Sequence, residues 1–157
     1  HIHSYLNIPD TSERDSLFQA ESRRCKEIID NITLTDREKT RHFGIFDELY
    51  SGTNPEEATK TGYAFLNYLS EYKNVDFILT THYTKICKKL KSNKNMQNYQ
   101  MKVIEDKDGK LQYTYKVKKG ISNVQGAICI LEDMNYPNEI INEVKNFDLP
   151  KKIIKNS

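Results

Sequence analysis

The run HFGIFDELYSGTNPEEA, residues 42–58, sets the architecture of this protein. Its first half is a short apolar segment that stops on two acids, Asp47 and Glu48, and its length suits a buried strand. The turn-forming cluster SGTNP comes next. Pro55 fits the first turn of a helix, and Glu56 and Glu57 favour that helix's positive end. The helical pattern runs on to about Tyr72, with Ala58, Gly62, Phe65, Leu66 and Leu69 sharing the inner face. A second apolar strand, VDFILTTH, occupies residues 75–82. Strand, helix, strand in this order predicts a βαβ unit whose strands are parallel neighbours.

Chemistry collects at the ends of those strands. Burying a carboxylate costs free energy, so paired acids closing an apolar strand call for something positive beside them. In phosphoryl-transfer enzymes the first acid holds Mg²⁺ and the second orients or deprotonates the attacking water. Two acids exposed to solvent at a strand end would give the same string. His82 stands at the tip of the second strand, and ligands of open α/β sheets bind at the carboxyl ends of the strands. Asp47, Glu48 and His82 are thus expected on one edge, where a histidine can donate to a γ-phosphate. Taken alone, His82 reads equally as a histidine satisfied within the structure. Ser16 opens a helical pattern over residues 15–32. A helix N-terminus receives anions, yet Ser16 or Asp15 serves equally as a plain N-cap.

The remaining sequence bounds these readings. The chain has 157 residues, enough for one sizeable core. With 24 basic against 22 acidic residues and a net charge of +2, it is not built to bind DNA by bulk charge. Cys25, Cys87 and Cys129 form no CxxC pair and read as free thiols of a reducing compartment. His1 and His3 have no cysteine near them, so structural zinc is not expected. No apolar run approaches the roughly 20 residues of a membrane helix, and no signal peptide opens the chain. The opening HIHSYLNIPD lacks both an initiator Met and a helix start, and reads as cut from a longer chain. TKICKKLK, residues 84–91, reads as a short basic helix. Two alternating segments, 97–106 and 110–119, flank Asp108-Gly109 and predict a hairpin. Residues 121–135 and 137–147 read as closing helices, followed by a frayed basic tail. The run KKLKSNKNMQNYQMK, residues 88–102, reads as a solvated basic face rather than a DNA contact.

Four segments in order carry a resemblance to the MutS family of DNA mismatch-repair ATPases. FDELYSGTNPEEA, residues 46–58, resembles that family's Walker B and D-loop, and TTHY, residues 80–83, its switch-histidine strand end. DSLFQAE, residues 15–21, resembles its signature segment, a Ser followed by an aromatic and an acid. YTYKVKKGISNVQGAICI, residues 113–130, resembles the downstream strand leading into a Gly-containing turn and helix. NYPNEIINEV, residues 135–144, fits the closing part. Departures are plain. The family's Gly-Arg-Gly-Thr turn reads Tyr50-Ser51-Gly52-Thr53 here, so no role of that Arg carries over. Leu17 stands between Ser16 and Phe18. No GxxxxGK[ST] occurs, so the loop that cradles ATP phosphates is missing.

The resemblance implies an α/β fold: a P-loop NTPase lobe of ABC type with a largely parallel sheet, a β-hairpin and C-terminal helices. The whole of 1–157 is then the C-terminal portion of one ATPase domain. It comprises a signature helix (15–32), a Walker B, D-loop and switch-histidine unit (41–90), and a hairpin with closing helices (97–147). The implied cofactors are ATP and Mg²⁺. Asp47 would hold the metal, Glu48 activate water and His82 sense the γ-phosphate. Ser16 would reach the nucleotide of a second MutS-like subunit, with Gly52 and Thr53 at the dimer seam. Mismatched double-stranded DNA would be gripped by other domains, and the protein would be intracellular, DNA-associated and not membrane-bound. Two rival readings stand beside this one. Other ABC ATPases carry a Ser-Gly-Gly signature, which the glycine-free DSLFQAE does not match. A non-catalytic dimerisation module would lack a phosphate loop altogether.

Overall fold

A computed structural model describes residues 1–6, 16–105, 107, 111–124 and 126–147. The chain forms two compact units, 1–98 and 99–157, each taken here by itself. Asp15, the Asp108-Gly109 turn and the basic tail lie outside the described residues.

In the first unit, helix α1 spans Leu17–Leu34. Ser16 caps it: its hydroxyl accepts the Gln19 N–H, and the Gln19 side chain returns to the Ser16 N–H at 2.8 Å. This reciprocal pair satisfies donors that a helix start otherwise leaves open. Strand β2 is His42–Asp47, and helix α2 is Pro55–Ser70. Asn54 caps α2 by accepting the N–H groups of Glu56 and Glu57, with Pro55 in the first turn. The expected inner face of α2, Ala58, Gly62, Phe65, Leu66 and Leu69, is buried throughout. Strand β3, Val75–Thr80, pairs parallel with β2 from His42↔Val75 to Asp47↔Thr80, and helix α3 is Thr84–Leu90. The predicted βαβ unit is present.

The opening segment, for which the sequence predicted no element, contributes a third strand. Ile2–Tyr5 is a strand, β1, paired parallel with the free edge of β2 from Ile2↔Phe43 to Tyr5↔Phe46. The sheet order is therefore β1-β2-β3. Hydrophobic alternation concealed it, because Ile2 is 78% exposed while His3 faces the core. The buried imidazole is satisfied internally. His3 Nε2 lies 2.9 Å from His42 Nδ1, and His42 Nε2 lies 2.8 Å from Thr35 Oγ1. Thr35 in turn bonds the α1 carbonyls of Asn31 and Ile32.

The core beneath the sheet joins Tyr5, Phe46 and Val75 to Cys25, Ile28 and Ile32 of α1 and to the inner face of α2. The Phe46 ring meets Phe65 edge-on, with centroids 5.6 Å apart. Gly44 makes room for it, since a Cβ there would stand 2.5 Å from Phe46 Cζ. The opposite face leaves Ile2, Phe43 and Ile78 exposed, although parallel sheets are ordinarily covered on both faces.

In the second unit, strands β4 (Tyr99–Glu105) and β5 (Leu111–Lys119) form the expected antiparallel hairpin, with an irregularity between Met101 and Val103. Helix α4 is Gly126–Asp133, later than the start at residue 121 that the string suggested. Ser122 accepts the Val124 N–H, a local bond that competes with helix formation. Helix α5 is Asn138–Asn146, and Lys145 of α5 pairs with Glu132 of α4 at 2.6 Å. Among the described residues no helix is long and apolar enough to cross a membrane. The three cysteines are free thiols.

Two outcomes follow from this packing. Leu66 is fully buried, so Leu66→Ala removes about 2–5 kcal/mol of stability in denaturant titrations. Burial holds both the His3 and His42 imidazoles below their ordinary value of 6.5, with His42 adding to the effect at His3. The fold therefore refuses protons that the unfolded chain accepts. Stability is full above that value and declines as pH falls below it. Melting measured from about pH 7.5 to about pH 5.5 should show this loss, and His3→Asn should flatten it.

Candidate functional site

Strands β2 and β3 end level with each other, and their last residues touch. The Thr80 hydroxyl donates to Asp47 Oδ1, and the Glu48 N–H donates to the Thr80 carbonyl at 3.1 Å. Past this point the chain turns sharply. Glu48 and Tyr50 both adopt left-handed backbone, with φ of 49° and 60°. Non-glycine residues seldom take this conformation, and such strain gathers at functional sites. The turn brings Glu48 Oε2 to 2.5 Å from His82 Nδ1, and the same oxygen accepts the His82 N–H at 3.4 Å. Tyr83 backs the imidazole, with ring centroids 4.1 Å apart.

Asp47, Glu48 and His82 thus gather at the carboxyl edge of the sheet. The acids are not entombed: Asp47 is exposed, and the Glu48 and His82 side chains are 36% and 65% accessible. The positive-capable partner expected for the acids is His82. An exposed pair of this kind adds little to stability, and its open side leaves both groups accessible to a ligand.

Ser16, Gly52 and Thr53 belong to a neighbouring cluster around the start of α1. The Ser16 hydroxyl is engaged as the N-cap. A Cβ on Gly52 would lie 2.7 Å from Leu17 Cγ and 2.8 Å from the Phe18 nitrogen, so the turn abuts the helix start and admits no side chain there. The Phe18 and Tyr50 rings pack with centroids 5.7 Å apart. Thr53 Oγ1 donates to Glu57 Oε2 at 2.7 Å.

Glu21, the acid of the signature segment, and Tyr5, which the motif reading passed over, hold this cluster together. Glu21 of α1 is 2% exposed. Its two oxygens accept the Ser51 hydroxyl at 2.9 Å and the Gly52 N–H at 3.0 Å. The Tyr5 hydroxyl accepts the Tyr50 N–H at 3.1 Å. Burial pushes the Tyr5 and Tyr50 phenols well above their ordinary range, and the Cys25 thiol beside Tyr50 up to about 12. The groups around Glu21 are therefore neutral. A signal for Glu21 was present in the sequence. Phe18, Glu21, Cys25, Ile28 and Ile32 follow helical spacing, and an acid within such a stripe must meet donors inside the fold.

Comparison with known proteins bears on the family of the chain. The family model described as MutS domain V matches residues 8–149. Endonuclease MutS2 of Alkaliphilus metalliredigens is 26% identical over 138 residues, covering 88% of this chain and 17% of that protein. DNA mismatch repair protein MutS of Persephonella marina is 25% identical over 127 residues, covering 81% of this chain and 14% of that protein. Endonuclease MutS2 of Fusobacterium nucleatum is 30% identical over 132 residues, covering 84% and 16% respectively. The chain thus spans between 14% and 17% of these relatives' lengths. With a family model matched over nearly all of its residues, the chain belongs to the MutS domain V family.

Proposed function

We propose that this chain carries the hydrolytic side of an ATP site in a MutS-like protein acting on mismatched DNA. The observation that carries the reading is the Glu48–His82 pair, 2.5 Å apart, beside Asp47 at the carboxyl edge of a parallel sheet. Exposed oxygen donors at that edge, the Asp47 carboxylate and the Thr80 hydroxyl, suit a hard cation. Among the described residues no group of three or more His, Cys, Asp and Glu could hold a metal. Mg²⁺ is usually held by one or two carboxylates together with phosphate and water oxygens. Asp47 would hold the ion, and bound Mg²⁺ would offset the charge of the ATP phosphates.

The protein's own groups divide the remaining work. Glu48 orients the attacking water and takes its proton as the water oxygen bonds the γ-phosphorus and ADP leaves. His82, held through Nδ1 by Glu48, keeps Nε2 for the γ-phosphate. Ser16 reaches the nucleotide of a second MutS-like subunit, and Gly52 and Thr53 lie along the seam between subunits. ATP turnover at this seam would switch a DNA-clamping state. DNA is gripped by domains outside this chain, in keeping with the net charge of only +2, and the protein works inside the cell on DNA.

In the full-length protein, Glu48→Gln should keep ATP binding and lower turnover by about 10²–10⁴-fold. Turnover equal to wild type would refute the assignment. The chain by itself has no GxxxxGK[ST] loop, so calorimetry should find ATP bound weakly or not at all. A micromolar affinity for the isolated chain would contradict this.

A further inference from the structure

The left-handed backbone at Glu48 and Tyr50 needs a restraint. Strained conformations persist only where the surrounding structure over-determines them, and here the restraints come from β1 and α1. The Tyr50 N–H is tied to the Tyr5 hydroxyl, the Ser51 hydroxyl and Gly52 N–H to Glu21, and Gly52 abuts Leu17 and Phe18. Glu21 and Tyr5 thus hold successive backbone positions of one turn, Tyr50 through Gly52. Neither residue bonds Glu48 or His82, so any effect on them runs through the turn.

We infer that Glu21 and Tyr5 are positioning residues for Glu48, and that through them the start of α1 and the hydrolytic acid move as one body. The inference deepens the function proposed above and rests on it. Chemistry dictates the choice of an acid at position 21. Both carboxylate oxygens accept, one from the Ser51 hydroxyl and one from the Gly52 N–H. A glutamine keeps the shape but presents an amide N–H₂ to one of those donors, leaving a buried donor unmet. Phenylalanine at position 5 keeps the ring packing and removes the acceptor for the Tyr50 N–H. Each change loosens the turn without touching a reacting group. A segment that engages the partner's nucleotide at Ser16 would then report its engagement to Glu48 of its own chain.

The test uses the full-length protein and measures kcat, KM for ATP and melting temperature. E21Q and Y5F should each lower kcat about tenfold or more while KM changes by less than about threefold, the pattern of a loss confined to the transition state. Added to Glu48→Gln, neither should lower kcat further, because the group they position is gone. Wild-type kcat in both variants, or losses that multiply with that of Glu48→Gln, would overturn the inference. If E21Q does not fold, Y5F and Ser51→Ala decide the matter by the same criteria. Failure of the underlying reading looks different: Glu48→Gln itself would then leave turnover unchanged.

Discussion

The Glu21 carboxylate lies inside the protein, 2% exposed, and two neutral donors meet it there: the Ser51 hydroxyl and the Gly52 N–H. A buried carboxylate without donors would cost several kcal/mol on the order-of-magnitude scale for such groups. The turn after β2 therefore has little freedom. It must deliver Ser51 and Gly52 to α1, and the chain between Asp47 and Ser51 must accept left-handed backbone to do so. The carboxylate of Glu48 is aimed from that strained turn. One polar contact on the helix side thus fixes the geometry on the sheet side.

The sheet supplies the other half of the constraint. Strand β2 is held on both edges, by β1 and by β3, in parallel register. Asp47 consequently ends beside Thr80, and Glu48, one residue past β2, can meet His82, two residues past β3. Parallel order is what places chemistry from separate segments at one edge. The same sheet leaves Ile2, Phe43 and Ile78 uncovered on the face away from α1 and α2.

The sequence was readable where the physics is local. The apolar run 42–47, the Asn54-Pro55 helix start and the Asp108-Gly109 hairpin signal each announce themselves within a few residues. The inner face of α2 was legible because its apolar residues keep helical spacing. Strand β1 was not, because its core-facing residues are His3 and Tyr5 and its isoleucine points outward. The histidine is tolerated only because His42, distant in sequence, completes its hydrogen bond. The contacts of Glu21, the acid of the signature segment, were hidden for a related reason: its donors lie some thirty positions away. Asp47, Glu48 and His82 could be named in advance and are brought together. The roles of Ser16, Gly52 and Thr53 toward a partner subunit came from family resemblance. Within this chain those residues cap α1, abut its first turn and bond Glu57.

The most direct measurement is a structure of the full-length protein with Mg²⁺, ADP and beryllium fluoride, which mimics the γ-phosphate. The account predicts His82 and Glu48 facing the fluoride group, with Asp47 on the metal side and Ser16 of the second subunit across the nucleotide. Nucleotide bound elsewhere, with Glu48 and His82 facing bulk solvent, would contradict it.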